Sequence, residues 1–180
     1  MILASMAHEA GHLMVSILLR VPVRFIAIGL GPTIWRQPLN RDMQLILRAV
    51  PTGMSIGVVG RWADDGRTLR PIRHDMLVAL GGPIASFLFS ALLVVLATVI
   101  PYSPAIQAWL TRMAAFSTVL GFLNLIPLPG LDGGHLLMLT ATSLGLRLSP
   151  QQEIAIHRVG LQLTAIACIV VLAVHLVGRL

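Results

Sequence analysis

Hydrophobic residues in this chain occur in long runs, and the polar residues that interrupt them are few. Residues 1–19 are apolar apart from two serines and His8, Glu9 and His12, and they predict one short helix. Residues 76–100 predict a spanning helix that carries Gly81-Gly82-Pro83 near its start and closes before Pro101. A third apolar helix is expected over 106–126; Pro127, Pro129 and Gly130 interrupt it, and it resumes irregularly to 144. Residues 154–177 predict a fourth. Several of these runs reach the roughly 20 residues that cross a hydrocarbon core.

The segment between the first two helices differs in kind. Runs rich in β-branched residues at 23–30, 33–36, 43–50 and 55–59 are bounded by Gly29, Gly31, Pro32, Pro38, Asn40, Pro51 and Gly53. They predict a small β-structure of two to four strands within 23–59. Trp62 to Arg67, with Asp64-Asp65-Gly66 at its centre, reads as a solvated turn. The expected fold class is a polytopic α-helical membrane protein. It has about four transmembrane helices, a small membrane-associated β-structure after the first, and a single domain over 1–180.

Composition supports that class. Of the 180 residues 56% are hydrophobic and 11% charged, against about 25% charged in soluble domains, so a polar shell cannot be made. All 13 basic residues are arginine, and nine of them lie between 20 and 75. A net charge of +6 would suit nucleic acid, but no basic helix is interleaved with aromatics, and that partner is excluded. The positive-inside rule accounts for the clustering and places 20–75 and 146–153 on the cytoplasmic side. Arg112 and Arg179 then snorkel at the outer surface. Cys168 is the only cysteine, which rules out a disulfide within the chain and a cysteine-type zinc site. The first apolar stretch lacks a basic leader, so no cleavable signal peptide is expected.

The candidate chemistry begins at His8-Glu9-Ala10-Gly11-His12. On a helix His8 and His12 project from one face, and two imidazoles so placed can share one zinc ion. Glu9 lies around the helix from that face, placed to take a proton from water at the metal. An ionisable group at bilayer depth costs roughly 2.5–3.5 kcal/mol or more, so three within five residues point to a function. A catalytic zinc needs a third protein ligand. The other acidic residues are Asp42, Asp64, Asp65, Asp75, Asp132 and Glu153, and only Asp132 is flanked by long apolar runs. Prolines and glycines unwind the chain there, which is tolerated at membrane depth where backbone lines a cavity. Asp132 is the preferred ligand. His135, three residues on, is the competitor and otherwise a supporting or packing residue.

Two motifs together, H-E-A-G-H at 8–12 and N-L-I-P-L-P-G-L-D-G-G-H at 124–135, resemble the signatures of the site-2 protease family of intramembrane zinc metallopeptidases. Ala27 to Pro32 with Trp35-Arg36, and Gly82-Pro83-Ile84-Ala85-Ser86, look like weaker family elements. The resemblance implies Zn2+ held by His8, His12 and Asp132, Glu9 as catalytic base, and Asn124 in contact with the substrate backbone. It implies a transmembrane protein or peptide as substrate, with the 23–59 β-structure pairing with the unwinding helix. It also implies a multi-pass protein of the bacterial cytoplasmic membrane with its active site towards the cytoplasm. Residues 100–106 leave no room for the PDZ domain of regulated members, so control would fall to a separate regulatory protein. A non-catalytic zinc-binding membrane scaffold and a metal transporter are the rival readings. His74, His157 and His175 read as interface or capping residues, with His157 paired to Glu153 one turn away. Gly82 and Ser86 equally fit a small-residue pattern that lets helices approach.

Overall fold

The computed structural model describes residues 2–41, 43–63, 67–146 and 148–177, leaving aside the side chains of 51, 52, 150, 165 and 167–177. Asp42, the Asp64-Asp65-Gly66 turn, Arg147, Arg179 and the side chains of Cys168 and His175 therefore lie outside the described residues. The chain divides into two compact units, Met1–Asn124 and Leu125–Leu180.

The first unit opens with helix α1, Ile2–Leu18, whose buried residues are Ala4, His8, Gly11, His12 and Ser16. They recur every three or four positions and so form one stripe. The stripe is small and polar, while Ile2, Leu3, Met14, Ile17 and Leu18 are exposed. This is the inverse of a soluble amphipathic helix. The helix ends in a Schellman motif: Arg20 sits at φ 55°, Arg20 N–H donates to Ile17 O and Val21 N–H to Ser16 O. Pro22 then prevents continuation.

Strands β1, Val23–Pro38, and β2, Gln44–Val58, form one antiparallel sheet with an irregular register. The four β-branched runs of the sequence, expected to give two to four strands, form these two because each strand bends without ending. In β1 the bend falls at Gly29 and Gly31, with φ of 95° and 88°, values that side-chain-bearing residues rarely adopt. As a result residues 25–28 have partners on both sides, Ile26 opposite both Ile56 and Leu45. In the connection, Met43 N–H donates to Asn40 Oδ1 at 2.8 Å, a local side-chain bond of the kind that favours Asn in turns.

Helices α2, Ile72–Val99, and α3, Pro104–Leu125, complete the unit. Arg70 anchors the start of α2, pairing with Asp75 at 2.6 Å and donating to Val59 O at 2.7 Å. Farther along, Ser90 Oγ donates to Ala114 O and Ser117 Oγ to Ser86 O, both at 2.8 Å. Each bond of this type stabilises by about 1 kcal/mol. Again the small and polar residues face inward, and Leu77, Ile84, Leu88, Leu92, Trp109 and Phe122 are exposed.

The second unit starts with a turn at Leu128-Pro129-Gly130-Leu131, where Leu131 N–H donates to Leu128 O and Gly130 has φ 96°. Proline followed by a positive-φ glycine is the type II pattern. Helix α4, Asp132–Ser143, begins directly after it, and helix α5, Pro150–Val177, follows.

The expectation of about four spans is corrected by these lengths. Among the described residues, α2 alone is long and apolar enough to cross a membrane. Helix α1 has 17 residues, about 25 Å at 1.5 Å each, short of a core of about 30 Å. Helix α3 carries Gln107, Arg112 and Asn124, which lower its apolar character. Residues 126–131 interrupt the third helix as expected, and the helix that follows, α4, has only 12 residues. The fourth expected span falls on α5, where the side chains from 167 onward are outside the described residues.

Candidate metal centre

Helix α1 carries His8 and His12 one turn apart, and both are buried. Their Nε2 atoms lie 3.3 Å apart, with ring planes at 82°. Two nitrogens each about 2.0–2.1 Å from one zinc at a tetrahedral angle are about 3.3–3.4 Å apart. The pair therefore has the spacing of two ligands to one ion. Two imidazole nitrogens that both present lone pairs repel at this distance, and a shared cation removes the repulsion. The residues present fit a zinc ion.

Partners on the other ring nitrogens fix how each ring is turned. His12 Nδ1 lies 2.7 Å from Val78 O, an atom that can only accept, so Nδ1 carries the proton and Nε2 presents its lone pair. Gly82 N–H also lies 3.3 Å from that Nδ1. A protonated Nδ1 cannot accept, and the shorter contact to the carbonyl decides the tautomer. His8 Nδ1 meets Ser86 Oγ at 2.9 Å, which likewise directs Nε2 inward when Nδ1 donates. Such outer partners orient metal-binding histidines and raise their basicity.

Helix α2 can reach these groups because its backbone comes unusually close. A Cβ at Gly82 would lie 2.6 Å from His8 Nε2 and closer still to His12 Nε2. At Gly81 it would lie 2.7 Å from Gly11 O. Gly81 and Gly11 thus make the close helix approach expected of small residues, and Gly82 and Ser86 lie against the imidazoles. Sequence reasoning missed Val78, because a backbone carbonyl leaves no side-chain signal.

Glu9 points to the sheet, where its Oε2 accepts a hydrogen bond from Ile56 N–H at 3.1 Å. The donor belongs to the part of β2 that crosses next to α1. His8, Glu9 and His12 are thereby brought together with β2, Ser86 and Val78 in one unit.

Asn124 ends that unit, and its Nδ2 donates to Leu120 O at 2.9 Å within its own helix. Asp132 belongs to the second unit as the first residue of α4, partly buried, where the helix dipole favours a carboxylate. Gly133 and Gly134 follow it out of steric need. A Cβ at Gly133 would meet Ile126 O at 2.5 Å, and one at Gly134 would meet Pro129 N at 2.8 Å. His135 is in the same turn, and its ring lies edge-on to His157 of α5, with centroids 5.2 Å apart. That contact goes beyond the Glu153 pairing expected for His157.

Compared with known protein families, this chain is matched by the sequence model of peptidase family M50 over residues 1–108 and 102–167.

Proposed function

Since this chain belongs to peptidase family M50, a membrane-associated family of metallopeptidases, we propose that it is an intramembrane zinc metalloendopeptidase. Its substrates are other membrane proteins, hydrolysed at peptide bonds in or near their transmembrane segments. The observation that carries this reading is the His8–His12 pair. Its Nε2 atoms are 3.3 Å apart, its Nδ1 atoms are held by Ser86 and Val78, and Glu9 is the adjacent residue of the same helix.

His8 and His12 would hold the ion, with Asp132 as third ligand on the strength of its sequence setting and the family pattern. Zinc so held supplies Lewis acidity, lowering the pKa of water towards about 7 and polarising the scissile carbonyl. Glu9 takes the proton of the attacking water and returns it to the leaving amine. A carboxylate has acceptor positions on both oxygens, so Glu9 can do so with Oε2 still bonded to Ile56 N–H. Addition of the substrate as a strand to β2 suits the chemistry, because a helical amide is shielded by its own hydrogen bonds and an extended one is not. Asn124 is proposed to hold the substrate backbone beside the bond to be cut. The apolar outer faces of α1, α2 and α3 support a lipid setting, since small and polar residues pack inward and large apolar ones face out.

The deciding experiment compares the wild type with Glu9→Gln on a model transmembrane substrate, with bound zinc measured in both. Cleavage by the wild type alone, at equal zinc, is the expected result. Zinc in both proteins with cleavage by neither would instead mark a scaffold, and zinc flux without cleavage a transporter. Crosslinks from positions 43–59 to bound substrate test the strand pairing, which fails if none form.

A further inference from the structure

Helix α5 presents an unusual inner face to the rest of its unit. Across residues 151–164 the positions that are not exposed are Glu153, His157, Gly160 and Thr164. Their spacing of four, three and four makes one stripe along the helix. Ile154, Ile156, Val159, Leu161 and Leu163 are all exposed. A packing helix would turn those residues inward in water, and in lipid it uses small residues together with polar ones that have specific partners. The imidazole on the inner face therefore directs attention to what it touches.

The contacts of that stripe converge on the segment that carries Asp132. Gly160 lies against the type II turn: a Cβ there would land on the Pro129 carbonyl, and one at Gly130 would lie 2.7 Å from the Gly160 carbonyl carbon. The two backbones touch two residues before Asp132. One turn back along α5, the His157 ring lies edge-to-face on His135, at 5.2 Å and 72°. His135 is in the first turn of α4 with Asp132, and its N–H bonds to Leu131 O. The backbone on either side of Asp132 is thereby held, at the turn before it and through the His135 ring after it.

We propose that α5 is a clamp on the third metal ligand, with His157 as a positioning residue for Asp132 and Gly160 as the contact that seats the turn. The inference rests on the reading of Asp132 as a ligand. Neither α5 residue touches the ion or the substrate. Their effect is to hold the turn and the first residues of α4 in one conformation, so that zinc meets a ligand already in place.

The test uses the full chain in detergent micelles, with zinc affinity measured against a chromophoric chelator. Visible absorption of the Co2+-substituted protein and thermal unfolding of the metal-free protein complete the readouts. His157→Ala should weaken zinc binding about 10–100-fold, the usual effect of losing an outer partner, and should alter the Co2+ bands. The metal-free unfolding midpoint should hardly move, because a merely structural role would appear there instead. His157→Gln, which keeps a polar side chain of similar reach, should recover part of the affinity, and it serves as the test if the alanine variant does not fold. In an Asp132→Ala background, His157→Ala should cause no further loss beyond about threefold, since the two act as one. If His157→Ala leaves affinity and bands at wild-type values while Asp132→Ala loses zinc, the clamp is overturned and the ligand reading stands. If Asp132→Ala itself keeps wild-type affinity and bands, the ligand reading fails and the clamp falls with it.

Discussion

Gly82→Ala puts the proposed metal centre under direct strain. The added methyl would sit 2.6 Å from both His8 Nε2 and His12 Cε1, where ordinary contact begins at 3.4 Å. The contact to His12 Nε2 is closer still, so relief requires about 1 Å of movement, by the imidazoles or by the whole of α2, whereas metal–ligand distances tolerate about 0.2 Å. The rings resist turning, because Ser86 and Val78 hold their far nitrogens. Overpacking alone should cost about 1–3 kcal/mol of stability, and zinc affinity should fall by 100-fold or more as the pair loses its spacing. Gly81→Ala is the matched control. Its methyl meets Gly11 O at 2.7 Å and Val15 Cγ2 at 3.0 Å, which strains the same helix pair without touching an imidazole. Both variants would be purified in micelles, with thermal unfolding of the metal-free form set beside a zinc titration. The reasoning is refuted if Gly82→Ala binds zinc within about threefold of wild type, or if Gly81→Ala loses as much affinity as Gly82→Ala.

Ser86→Ala removes the partner of His8 Nδ1 and should weaken zinc binding about 10–100-fold, with a stability loss of only about 1 kcal/mol; isothermal titration separates the two. Arg70→Ala leaves Asp75 buried without its cation and should destabilise the fold by about 3–5 kcal/mol, read from the unfolding midpoint. Replacing both partners with apolar residues of similar volume should recover most of that loss. Arg20→Gly relieves the left-handed backbone at the end of α1 and should raise stability by about 0.5–1 kcal/mol, and a lower unfolding midpoint would contradict the Schellman assignment.

How much of this was legible in the sequence depends on how local the determinant is. Helix geometry alone puts residues four apart on one face, so His8-x-x-x-His12 implied a facing pair before any tertiary contact was known. Pro127, Pro129 and Gly130 likewise marked the interruption after α3, and Gly29, Gly31 and Pro32 a break in the extended run, since each acts through its own φ. The resemblance of the two motifs to a protease family was carried by residue types at short spacing, and the family match extends it over nearly the whole chain.

Other features were settled only by the fold. The sequence left two to four strands open because bending and ending leave similar residues behind, and only the hydrogen-bonded register tells them apart. The count of spans failed for a related reason. Apolar composition records what a helix can bury, while its length depends on where neighbours and turns stop it. The groups that hold the site lie beyond local pattern altogether. Val78 O, Ile56 N–H and the approach of Gly82 are backbone features contributed from 47 to 70 residues away, and a backbone group is the same in every residue. His157 shows the limit most plainly. Its sequence neighbour Glu153 accounted for it well enough, and only the packing of α5 on the Asp132 turn brings it against His135. The chain's local spacing therefore determined which chemistry this protein carries, and tertiary contact alone decided how each group is held.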